Sequence, residues 1–105
     1  MSLEIEKSGS NHLSLITVRG EVDLYSSPKL RRAILDAVPH ADQRLAIDLS
    51  GVEYMDSSGV ATLVEGLKSA NAHDTVLRLV APSEAVMSVL KLARLDSLFE
   101  VGAEP

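Results

Sequence analysis

The stretch LAIDLSGVEYMDSSGVATLVEGLKSANA (Leu45–Ala72) decides how the chain is read. Its first part sets Leu45, Ile47 and Leu49 on one side of an extended segment, the period of a strand with one buried face. Its second part changes period, because Val60, Leu63, Val64 and Leu67 follow the i, i+3, i+4, i+7 spacing of a helix lying flat on a sheet. A short polar turn joins the two and ends in Asp56-Ser57-Ser58-Gly59 at the helix mouth. First-turn N–H groups lack intrahelical partners and the helix dipole is positive there, so an oxyanion or phosphate at that point is favoured.

Upstream, Leu3 and Ile5 alternate with Glu4 and Glu6 as a short strand, Ser8 to Asn11 read as a turn, and Leu13 to Val18 form a second strand. The two strands pair as a hairpin. Arg19 to Tyr25 then carry the chain off the sheet to Ser26-Ser27-Pro28, where serine before proline marks a helix start. Leu30, Ile34, Leu35 and Val38 define that helix's inner face, and Pro39 ends it. Downstream, Asn71 to Asp74 turn the chain into a strand from Thr75 to Val80. Ala81-Pro82-Ser83 cap a third helix with Val86, Val89, Leu90 and Ala93 inward, and Leu95 to Val101 give a last turn or weak strand.

This alternation predicts right-handed crossovers between parallel strands plus one antiparallel pair at the N-terminal edge. A central strand that alternates is not covered on both faces. The expected fold is therefore α/β, a mixed four- to five-stranded sheet with three or more helices mainly on one face. A three-layer doubly wound sheet is the structural alternative. The 105 residues are expected to form a single domain, 1–105.

The formal charge of −5 argues against nucleic acid or an anionic membrane surface as partner, and a basic protein surface fits better. There is no cysteine, hence no disulfide or thiol chemistry. The start MSLEIEKSGS has neither a basic nor an apolar signal segment, and no run is long enough to insert in a membrane, so a cytoplasmic location is expected. His12, His40 and His73 are isolated, without metal-ligand spacing, and neither GxxxxGK[ST] nor GxGxxG occurs. The GxSxG elbow of serine hydrolases is absent as well. No cofactor is expected.

The plainest role for Asp56, Ser57 and Ser58 is helix capping. One cap suffices, however, so three candidates leave at least one hydroxyl exposed. A phosphoryl group there adds about −1.5 to −2 charges beside a positive helix end, changing the surface while leaving the fold intact. Tyr54 and Met55 before the helix, with Val60 and Ala61 in its first turn, make either an apolar patch beside the serines or part of the core; core packing is the favoured reading for Val60 and Met55. Leu24 and Tyr25 are open in the same way.

GEVDLYSSPKL (Gly20–Leu30) and LSGVEYMDSSGVATLV (Leu49–Val64) together resemble the STAS domains of bacterial anti-sigma factor antagonists, and length and element order are similar too. The resemblance implies a STAS fold and a regulator that binds a serine-kinase anti-sigma factor of the GHKL ATPase type. It implies Ser57 as the phosphoacceptor, Ser58 as the hydroxyl residue after it and Asp23 as the acidic residue of the first motif; with Tyr54, Met55, Asp56, Gly59 and Ala61 around them, these are the expected phosphosite and partner-binding residues. The kinase supplies ATP and magnesium, and a phosphatase of the PP2C type removes the phosphate. The chain itself is then a substrate, not an enzyme. Two alternatives share the fold: an accessory subunit of a lipid-transport ATPase complex, and a partner switch with a non-sigma output.

Overall fold

The structure, a computed structural model, describes residues 3–10 and 12–105. Strands β1 (Leu3–Ser10) and β2 (Leu13–Val22) form the antiparallel hairpin, and β3 (Arg44–Met55), β4 (Val76–Val80) and β5 (Glu100–Gly102) add in parallel. The five strands lie in the order in which the chain makes them. Helices α1 (Ser27–Ala37), α2 (Ser57–Ala72) and α3 (Glu84–Leu92) fill the crossovers. Each crossover steps one strand in the same direction, so right-handed connections put all three helices on the same face.

That face holds the core. Register places Ile16, Ile47 and Leu79 on one rung, all buried, and Leu30, Ile34, Leu63, Val86 and Leu90 descend onto them from the helices. The opposite face carries Glu6 paired with Arg19 and Arg78 paired with Glu100, so it is charged where the doubly wound alternative needs a second apolar layer. Among the described residues no helix is long and apolar enough to cross a membrane.

Several boundaries differ from the sequence reading. β1 continues through Ser8, Gly9 and Ser10, expected as a turn, because each pairs with β2; Asn11 lies outside the described residues. β2 does not leave the sheet at Arg19 but runs to Val22, and β3 runs through the supposed polar turn to Met55. These two extensions hold each other: Arg19 pairs with Gly51, Gly20 with Val52, Glu21 with Tyr54 and Val22 with Met55, across two register shifts. Gly20 has φ 106°, a conformation that strains any side chain, and it sits where the second shift begins.

Pro39 lies inside a single 3-10 turn, Val38–His40, because helix α1 has already ended at Ala37. Ala93, expected inward, is the exposed residue after α3, whose N-cap is Ser83 as anticipated.

Ile47 sits at the centre of the core rung with no exposure. Ile47→Ala should lower stability by about 2–5 kcal/mol. Arg44→Ala, at the exposed start of the same strand, should stay within about 0.5 kcal/mol. Urea unfolding of the two variants checks the pair.

Candidate functional site

The parallel ends of β2 and β3 build the site. Val22 pairs with Met55, so Asp23 and Asp56 leave the sheet side by side, and the Asp56 N–H donates to the Val22 carbonyl at 3.1 Å. Asp56 is still extended, with φ −108° and ψ −171°, and its carboxylate caps α2 by accepting from the N–H groups of Ser58 at 2.9 Å and Gly59 at 3.4 Å. The same oxygen accepts the Ser58 hydroxyl at 2.5 Å. Thr62 closes the turn, its buried hydroxyl donating to the Ser58 carbonyl.

These bonds separate the two serines. Ser58 is half-buried and its hydroxyl is engaged, whereas Ser57 is exposed and its hydroxyl has no hydrogen bond among the described residues. The expectation that one cap would leave a hydroxyl over is met by Ser57. The Asp56 carboxylate thus already occupies the N–H groups of Ser58 and Gly59 at the helix mouth.

Gly59 makes this geometry possible by having no side chain. A Cβ there would lie 2.5 Å from Met55 Cγ and 2.9 Å from Val22 Cγ1. The helix mouth therefore rests directly on the strand ends. Met55 and Val60 are core, at 5% and 6% exposure, and shape the site from beneath, as the favoured sequence reading had it. Ala61 and Tyr54 face outward, and Leu24 and Tyr25 project from the neighbouring loop, Tyr25 at 90% exposure. Below Ser57 a shallow groove of about 410 Å³ runs along α2 past Ala61, Val64 and Glu65 to Lys68, with Leu95 on its far wall.

Asp23 anchors the adjoining loop. Its carboxylate accepts from the Ser26 and Tyr25 N–H groups, both at 2.9 Å. Ser26, read from sequence as the opening of a helix, makes no side-chain cap; its hydroxyl accepts from the Asp23 N–H and donates to the Glu21 carbonyl at 2.8 Å. The Ser26 N–H is the main reason the Asp23 carboxyl is held below its ordinary pKa, with the Ser26 hydroxyl and Tyr25 N–H adding to it against a smaller opposing effect of burial. The role of Ser26 was missed because S-S-P before an apolar periodic run reads first as a cap.

The arrangement defines a class: a helix mouth at the ends of two inner parallel strands, offering one exposed hydroxyl next to the capping Asp56, with exposed apolar side chains on the neighbouring loop and helix turn. The chain belongs to the STAS domain family, since a family model described as "Mlab, STAS domain" matches residues 5–100. It is similar to the anti-sigma-B factor antagonist of Listeria monocytogenes, 30% identical over 101 residues that span 96% of this chain and 88% of that one. Among solved structures, an anti-sigma factor antagonist from Mycobacterium paratuberculosis superposes with a TM-score of 0.87 at 27% identity, covering 98% of this chain and 87% of the other. The antagonist SpoIIAA shares the fold in its unphosphorylated form, with a TM-score of 0.77 at 21% identity over 93% of this chain and 87% of that one. The phosphorylated form, from Bacillus, gives 0.71 at 21% identity over 95% and 90%.

Loss of the cap in Asp56→Ala should cost about 1 kcal/mol, whereas Ser57→Ala, which breaks no bond, should stay within about 0.5 kcal/mol in urea unfolding. The pKa of Asp23 is lower folded than unfolded, so its contribution to stability is present above the unfolded value and is lost as pH falls through the folded one. The stability gap between the parent chain and Asp23→Asn should therefore narrow between neutral pH and about pH 3, followed by chemical denaturation at each pH.

Proposed function

We propose that the chain is an anti-sigma factor antagonist that works by partner switching, docking on a serine-kinase anti-sigma factor of the GHKL ATPase type while Ser57 is unmodified and leaving it once Ser57 is phosphorylated. The observation that carries this reading is the division of labour at the helix mouth, where Asp56 caps, Ser58 is tied to Asp56 and the Ser57 hydroxyl is free and exposed. The names of the relatives support the partner class, and SpoIIAA, known in unphosphorylated and phosphorylated forms on this fold, supports the switch.

The chain then acts as substrate, not catalyst. Tyr54, Ala61, Leu24 and Tyr25 supply apolar anchors around the acceptor, and the groove along α2 extends the surface. A phosphate on Ser57 stands beside Asp56, with its own helix mouth already capped. Lys68 in the same groove is eleven residues along α2, about 16 Å away, beyond the screening length of about 8 Å at physiological salt. Pressed into an interface, that charge is unpaired and weakens binding. The kinase brings ATP and magnesium, and a PP2C-type phosphatase restores the docking state in the cytoplasm.

Incubation with candidate kinases of the same genome and ATP, followed by mass spectrometry, should locate a single phosphate on Ser57. Against the cognate kinase, Ser57→Ala should bind at parent affinity and Ser57→Asp at least about tenfold more weakly. Phosphate on Ser58 alone, or equal affinity of the two variants, overturns the switch.

A further inference from the structure

A second surface lies along the other side of α1, where two shallow lobes of about 250 and 280 Å³ meet between that helix and β1. Lys7 and Asp36 line both lobes, Lys29 and Arg32 line one, and His40 lies at the far end of the other. The floor is apolar, made by half-buried Ile5 and buried Ala33.

In a protein of net charge −5 this groove gathers cations that have no carboxylate of their own. Arg19, Arg31 and Arg78 are each paired with a glutamate, whereas Lys7, Lys29 and Arg32, like Arg44, Lys68, Lys91 and Arg94 elsewhere, form no ion pair among the described residues; what sets this groove apart is that three of these cations line it together. Lys29 donates to the Leu3 carbonyl at 2.7 Å, which fixes its ammonium at one end of the groove, and Arg32, one turn along, presents a fork suited to a carboxylate.

We propose that this groove is a docking site for a short acidic segment of a protein partner, separate from the Ser57 surface and independent of its phosphorylation. Carboxylates of the segment meet Lys7, Lys29 and Arg32, and an apolar side chain between them covers Ile5 and Ala33. Asp36 sets the register, because it repels a carboxylate placed over it and leaves that position to a neutral residue. A membrane or nucleic acid is the wrong shape for this charge pattern. Its anionic surface would cover the whole groove and so press charge against Asp36, which lines both lobes.

The test uses the full chain and a fluorescein-labelled peptide of alternating glutamate and leucine, with binding read by anisotropy and mapped by amide NMR shifts. Saturable binding with shifts centred on Ile5, Lys7, Lys29 and Arg32 is expected, and Arg32→Glu should weaken it about tenfold or more. Lys91→Glu, the same charge change on α3, should stay within about twofold. If Lys29→Glu fails to fold through loss of its bond to Leu3, Arg32→Glu, which loses no hydrogen bond, still decides the matter. The proposal falls if no saturable binding occurs, if Lys91→Glu weakens binding as much as Arg32→Glu, if the shifts centre on Ser57, or if phosphatidylglycerol vesicles bind more tightly than the peptide in an Arg32-dependent way.

Discussion

The carboxylate of Asp56 is the constraint on which the site depends. It accepts two backbone N–H groups and one hydroxyl at the mouth of α2, while its own N–H is tied to the end of β2. One residue thus joins two parallel strands to a helix and fixes where the next side chain points. By neutralising the helix end internally it leaves Ser57 chemically idle within the fold. Changing an idle, exposed hydroxyl disturbs nothing that holds the chain together.

The close approach at Gly59 and the paired extensions of β2 and β3 serve the same end. Without the extra strand residues the loops bearing Asp23 and Asp56 would start at different heights, and without the missing side chain the helix would ride away from Met55 and Val22. The apolar side chains at this edge divide cleanly. Those that alternate inward, Met55 and Val22, hold the platform, and those that alternate or loop outward, Tyr54, Leu24 and Tyr25, stand exposed.

Much of this was legible in the sequence because periodicity reports burial. Leu45, Ile47 and Leu49 gave the strand, Val60 and Leu63 the helix, and the surplus of capping residues pointed to a free hydroxyl. Strand length was less legible. Ser50 and Gly51 look like turn residues, but pairing of Gly51 with Arg19, about thirty residues upstream, keeps β3 extended past the register shift in which Ser50 lies. Gly9 and the serines beside it are held in β1 by the hairpin in the same way. The inner position assigned to Ala93 failed because α3 had ended a residue earlier, and periodicity cannot see a helix end that lacks a strong stop signal. The helix start at Ser26-Ser27-Pro28 was legible, with Ser26 at the N-cap of α1, but its hydroxyl serves the turn around Asp23 instead of a first-turn N–H.

The strictly sequential order of the strands bears on how the molecule comes into being. No strand has to be threaded between two others, so every newly made segment adds to an edge that already exists, and every strand pairing joins neighbours in the chain. Assembly can follow synthesis from the first hairpin outward. The helix mouth bearing Ser57 can form once β3 and the opening turn of α2 have been made, while β4, α3 and β5 then extend the sheet behind it.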